Sequence, residues 1–166
     1  MNSCSDAEGK TTPGEITPGE TVPGAAFALP GLWCGPETIL LVEDEAFVRK
    51  ATAEVLESAG YRLVTARSAA EAFEAYARCF RPVDLLLADV VMPGMSGHDL
   101  AAEFGSRCPR ARVLLMSGHA EQLARFERSH YGRMCLAKPF SIPTLLRRVR
   151  EVLDTDTNPF DLGAQA

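Results

Sequence analysis

Four largely apolar runs punctuate this chain, and each closes on a residue type that handles phosphate. Thr38–Val42 leads into Glu43-Asp44, Val83–Ala88 into Asp89, Ala111–Met116 into Ser117-Gly118, and Arg133–Ala137 into Lys138-Pro139. Runs without polar alternation are what strands buried on both faces require. If the runs lie parallel, their C-terminal ends share one edge. That edge then carries three carboxylates, a hydroxyl and an ammonium.

Between the runs the spacing turns helical. A helix is predicted over 46–59, with Val48, Ala51 and Val55 on its inner face and Gly60 stopping it. Tyr61–Ala66 reads as a further strand. Ser68 caps a second helix at capping-box spacing from Glu71, with Ala69, Phe73 and Ala77 inward. A third helix is predicted from Ser96 to Arg107 and a shorter one over Glu121–Ser129. The last starts at Ser141 and places Ile142, Leu145, Leu146, Val149, Val152 and Leu153 at helical spacing.

Five strand–helix units predict an α/β fold, a doubly wound five-stranded parallel sheet of flavodoxin-like order 2-1-3-4-5 with five helices. Ligands on such sheets bind beyond the strand C-termini, where the strand order reverses. Here that point lies between strands one and three, at Glu43-Asp44 and Asp89.

The organisation expected is a Pro/Gly-rich disordered tail over 1–36, a folded domain over 37–154 and a flexible tail over 155–166. The first segment contains an imperfect repeat, Thr12-Pro13-Gly14-Glu15, Thr17-Pro18-Gly19-Glu20 and Thr21-Val22-Pro23-Gly24, too rich in proline and glycine to bury a core. Only Phe27, Leu29, Leu32 and Trp33 in it could anchor a partner. The formal net charge of −5 resides wholly in the two tails, because 37–154 holds 16 acidic and 16 basic residues. No basic stripe suggests nucleic-acid binding. No apolar stretch is long enough to span a bilayer. The acidic start and Trp33 just before Cys34 argue against a secretory or lipoprotein signal, so a cytoplasmic location is expected. Five scattered cysteines without a CxxC point to reduced thiols rather than a disulfide framework or a zinc site.

Three carboxylates brought together are costly unless a cation joins them. An all-oxygen set favours a hard ion such as Mg²⁺. Asp44 and Asp89 are the first choice for direct ligands, with Glu43 holding a metal-bound water. Asp89, alone at its strand end, is the plausible nucleophile, since carboxylates form acyl phosphates in some enzymes. Lys138 can neutralise oxygens of a transferring phosphoryl group, and Ser117 can donate a hydrogen bond to one. The loop Val90–Gly97 follows Asp89 at once, and its proline and glycines give a defined turn over the site.

At these residues the chain from Thr38 to Asp154 resembles the response-regulator receiver domains of two-component signalling. The matching pieces are Leu41-Val42-Glu43-Asp44-Glu45, Asp89–Gly97, Met116-Ser117-Gly118 and Lys138-Pro139-Phe140, in the family's order and spacing. A softer similarity is to receivers of hybrid sensor kinases. The resemblance implies that Asp89 is the phosphoacceptor, taking its phosphoryl group from a phosphohistidine on a sensor histidine kinase or histidine phosphotransfer protein. It implies Mg²⁺ held by Glu43, Asp44, Asp89 and the backbone carbonyl of Val91, and a phosphoryl group gripped by Ser117 and Lys138. It further implies a cis Lys138–Pro139 bond, a conformation that only about 5–6% of X–Pro bonds adopt. Phosphorylation would pull Ser117 inward and reshape the face formed by 121–129, the strand before Lys138 and the last helix, where a downstream protein partner would bind.

Two positions depart from the family's pattern. Cys135 stands where a switch aromatic is usual, three residues before the lysine. Val91, two after Asp89, has no polar group to orient a hydrolytic water, so slow self-dephosphorylation is expected unless His119 does that work. His98 and His130 are expected at the surface, and Arg147, Arg148 and Arg150 on a solvated helix face. With only twelve residues after Asp154, no DNA-binding helix-turn-helix is expected, and output would pass by protein contact. The competing readings are a degenerate receiver that is never phosphorylated, an aspartyl-phosphate hydrolase of the haloacid-dehalogenase type, and a flavodoxin-like cofactor binder. The hydrolase needs an acid two residues after its nucleophile, which neither Asp89 nor Asp44 has. The cofactor binder needs a phosphate loop that Glu43-Asp44-Glu45 would repel.

Overall fold

The structure, a computed structural model, describes residues 35–118 and 134–155. Five strands, β1 (Thr38–Val42), β2 (Arg62–Ala66), β3 (Leu85–Asp89), β4 (Arg112–Ser117) and β5 (Cys135–Ala137), form one parallel sheet in the order β2-β1-β3-β4-β5. Four helices are described: α1 (Ala46–Ser58), α2 (Ala69–Arg78), α3 (Gly97–Arg107) and α4 (Ile142–Leu153). The helix predicted over 121–129, both tails, His119 and His130 lie outside the described residues.

The sheet separates two apolar layers because successive strand residues point to opposite faces. On one face Leu40, Val42, Leu86, Ala88, Val113 and Leu115 meet α2 and α3. On the other Ile39, Leu41, Leu85, Leu87, Leu114 and Met116 meet α1 and α4. All five residues of β1 are buried, as the unbroken apolar run requires. Phe104 of α3 is fully buried and packs edge-on against Tyr76 of α2, with ring centroids 5.0 Å apart. Truncating such a side chain to alanine costs about 3–5 kcal/mol.

Serine caps explain where three helices begin. Ser68, Ser96 and Ser141 accept from the backbone N–H groups of Glu71, Asp99 and Thr144, which satisfies donors the first turn leaves orphaned. Glu71 reaches back to the Arg67 N–H at 3.1 Å. Helix α1 has no side-chain cap at Glu45.

The predicted inner faces hold in part: Val55 of α1 and Ala69 and Phe73 of α2 are buried or packed against the core as their spacing predicts, while Ala51 and Ala77 are exposed. Thr52 and Leu56 of α1 and Ala72 of α2 are also buried, so each helix docks with a stripe slightly offset from the predicted one. On α4 the inward residues are as predicted except Ile142, which is 53% exposed. Arg150 also departs from a solvated face: its side chain is 18% exposed and pairs with Glu37 and Asp154 at 2.8 Å each. Arg148 is similarly covered and pairs with Glu151, while Arg147 stays half exposed. No helix among the described residues is long and apolar enough to cross a membrane.

Candidate functional site

The C-terminal ends of β1 and β3 are neighbours in the sheet, with Val42 paired to Ala88. This register brings Glu43, Asp44 and Asp89 together at the reversal of strand order. One carboxylate oxygen from each lies within 4.8 Å of the others. Glu43 is buried, Asp44 is exposed and Asp89 is half-buried.

Lys138 follows β5 directly and reaches across the β4 end. Its ammonium lies 2.7 Å from Oε2 of Glu43 and 2.7 Å from Oδ2 of Asp89. Its peptide bond to Pro139 is cis, and its N–H donates to the Ser117 carbonyl at 2.8 Å. Ser117 itself is fully buried, one residue beyond Met116, the register partner of Asp89.

The other oxygen of Asp89 is also engaged. Oδ1 accepts the Val91 N–H at 3.1 Å, so the carboxylate plane is held from both sides. The Val91 side chain is 47% exposed. Gly94, at φ +85°, sits where only glycine turns without strain.

Electrostatics follow from burial. Desolvation raises the Glu43 carboxyl above its usual range; the Lys138 hydrogen bond opposes this, and the charge of Asp89 adds to it. Burial alone would lower the Lys138 ammonium, but its bonds to Asp89 and Glu43 outweigh that and raise it. One ammonium among three carboxylates leaves a formal deficit of two positive charges. The donors are hard oxygens, one of them exposed. This set fits one divalent hard cation.

Two further residues support the site. Arg49 donates from Nη1 to the backbone carbonyls of Glu43 at 2.7 Å and Asp44 at 3.2 Å, fastening the acidic loop to α1. Nothing in its spacing distinguishes it from a solvent arginine. Gly97 abuts the Asp89 backbone: a Cβ there would lie 2.0 Å from the Asp89 carbonyl oxygen. Its place just after the Ser96 cap was the available hint. Phe47 is 80% exposed at the start of α1 beside the acids. Cys135 is half-buried against the α2–α3 layer, and His98 is exposed.

The response regulator receiver domain family model matches residues 39–150. Sensor kinase CckA of Brucella abortus is 38% identical over 121 residues, covering 72% of this chain and 13% of that protein. Response regulator receiver protein CpdR of the same organism is 31% identical over 116 residues, covering 69% of this chain and 95% of CpdR. Response regulator protein TrrA of Thermotoga maritima, solved in complex with Mg²⁺-BeF, is 27% identical with a TM-score of 0.61. It covers 70% of this chain and 98% of TrrA. CpdR apart, the chain spans from 13% to 56% of the length of the curated relatives that head the comparison.

Proposed function

Because the chain belongs to the response regulator receiver domain family, we propose that it takes a phosphoryl group from a phosphohistidine onto Asp89. The donor is a sensor histidine kinase or a histidine phosphotransfer protein. The observation that carries this reading is the Lys138 ammonium, 2.7 Å from both Glu43 and Asp89.

In the transfer, an Asp89 carboxylate oxygen forms a bond to phosphorus in line with the breaking P–N bond, and the imidazole leaves as the neutral base once protonated. The Val91 N–H and Lys138 fix the carboxylate before the donor arrives, so little orientation remains to be lost. As the phosphoryl group lands, Lys138 shifts a hydrogen bond to one of its oxygens, and Ser117 donates to another. Glu43, Asp44, Asp89 and the Val91 carbonyl would hold Mg²⁺, which TrrA binds together with BeF. When bound, the ion supplies positive charge to the phosphoryl oxygens.

The protein acts as a signalling phosphoacceptor with no turnover beyond its own phosphorylation and dephosphorylation. Its output passes by contact with a protein partner at the face around β5 and α4, without nucleic acid. The proposed location is the cytoplasm, consistent with free Cys79, Cys108 and Cys135. The intact acids and lysine weigh against a degenerate receiver, and Val91 weighs against the hydrolase.

The test is incubation with a small phosphodonor and Mg²⁺, followed by intact mass. Wild type gains one phosphoryl group and Asp89→Ala gains none. Absence of any gain in wild type would establish the degenerate receiver. Steady turnover of diverse phosphate esters would establish the hydrolase.

A further inference from the structure

Helix α1 is entered differently from the others. Ser68, Ser96 and Ser141 cap α2, α3 and α4 with their side chains, but Glu45 at the start of α1 makes no side-chain cap bond. The residues just before α1 are Glu43, Asp44 and Glu45, so this uncapped entry carries two of the three site acids. Lys138 pairs with Glu43 and Asp89. The Asp44 side chain is exposed, and its direction is left to the course of its own backbone.

Arg49 supplies the missing fastening. Its backbone N–H donates to the Glu45 carbonyl at 2.9 Å, which puts it in the first hydrogen-bonded turn of α1. Side chains on a helix lean toward its N-terminus, so the guanidinium reaches back over that turn. Nη1 donates to the Glu43 carbonyl at 2.7 Å and to the Asp44 carbonyl at 3.2 Å. Successive residues of an extended strand face opposite sides. Two successive carbonyls that converge on one nitrogen instead pin the peptide joining them, and that peptide sets the direction in which Asp44 leaves the backbone. On its other side Glu43 is tied to β2, where its N–H donates to the Ala66 carbonyl at 3.1 Å. The sheet therefore holds Glu43, and Arg49 carries that hold on to Asp44.

We propose that Arg49 is a positioning residue for the divalent cation: it holds Asp44 where its carboxylate can join those of Glu43 and Asp89, and its loss weakens cation binding. The inference rests on reading the three acids as a cation site. Electrostatics give it an opposite sign from the simpler alternative. A guanidinium beside the acids repels an arriving cation, so an arginine acting through charge alone opposes Mg²⁺, and its removal tightens binding. An arginine acting through position has the reverse effect. Removing a group that orients metal ligands typically costs about 10–100-fold in affinity. Relief of the positive charge offsets part of that here, which leaves a loss of about tenfold.

Titration of the full chain with Mg²⁺, followed through backbone amide chemical shifts, measures the affinity without any phosphodonor. Arg49→Met keeps an apolar stem and removes both charge and donors, and its Kd should rise about tenfold. Arg49→Lys keeps the charge and a donating head that stops one bond short of Nη1, and its Kd should lie between the two. Arg112→Met removes an arginine that also donates to a carbonyl, that of Thr155 at 2.8 Å, but from the opposite edge of the sheet. Its Kd should match wild type. Urea curves with a chelator present give the folded fraction of each variant, so lost fold is not read as lost affinity. If Arg49→Met binds Mg²⁺ as tightly as wild type, or more tightly, the positioning role is overturned and the cation site still stands. Equal weakening in Arg112→Met would overturn it too. Failure of wild type to bind Mg²⁺ would remove the cation site and this role together.

Discussion

The ammonium of Lys138 lies 2.7 Å from Oδ2 of Asp89, although their strands are separated in the sheet by β4. Removing that amine strands a buried Glu43 and a half-buried Asp89 beside each other. Lys138→Met should therefore lower metal-free stability by about 3 kcal/mol, the scale of a buried pair broken on one side. Urea denaturation with a chelator present measures this. Phosphoryl transfer to Asp89 should slow by well over tenfold in the same variant.

Asp44 contributes an exposed negative charge to a cluster that already has an excess. Asp44→Asn should raise the stability of the metal-free protein by about 1 kcal/mol, the high-dielectric scale for unit charges near 4 Å. The variant should gain less stability from added Mg²⁺ than wild type does. Denaturation midpoints with chelator and with saturating Mg²⁺ report both effects, and a loss of metal-free stability would refute the first.

Glu43 contributes to the pH dependence on the acid side. Its folded carboxyl is raised, mainly by burial, so the native state holds this proton more tightly than the unfolded chain. Its contribution to stability is fully present below the ordinary value of 4.5 and is lost as pH rises through the folded value. In metal-free solution Glu43→Gln should remove that loss, and the variant should gain on wild type as pH rises toward neutrality. Lys138 is raised as well. Its contribution is held below the ordinary 10.5 and is lost as pH climbs through the folded value. Denaturation curves across both ranges check the two signs.

Much of this arrangement was legible in the sequence. The unbroken apolar runs announced buried parallel strands, and their closing residues named Glu43, Asp44, Asp89 and Lys138. Ser68 marked a helix start by its capping-box spacing, and the starts read at Ser96 and Ser141 are serine caps as well. The inner faces of α1 and α2 were legible only in part: Val55, Ala69 and Phe73 pack on the core as their spacing predicts. Thr52 is polar by composition yet buried, and Ala51 and Ala77 satisfy a helical period while facing water. Docking angle decides that, and it depends on the whole sheet. The Glu37–Arg150 pair and the Arg49 bonds to the acidic loop join residues only after folding, so no local pattern encodes them.

Gly97 meets the Asp89 carbonyl at a distance that leaves no space for a methyl group. Gly97→Ala must displace backbone, and the expected loss is about 2 kcal/mol, typical of overpacking. Because the displaced backbone carries the proposed phosphoacceptor, transfer should slow more than the stability loss explains. Comparing the denaturation midpoint with the rate of mass gain at a temperature where the variant is folded separates the two.

Val91 places an aliphatic side chain, half open to water, beside the Asp89 carboxylate. Val91→Asn should shorten the life of the aspartyl phosphate several-fold by orienting an attacking water. The half-life is read by mass spectrometry after the donor is removed. An unchanged or longer half-life would show that the residue does not govern hydrolysis.

The single amine at the end of β5 ties together the tips of β1 and β3, neither of which is next to it in the sheet. If Asp89 takes a phosphoryl group as proposed, a lysine that turns toward it would release Glu43 and draw on the β5 tip. The edge strand would then feel a reaction two strands away through one side chain.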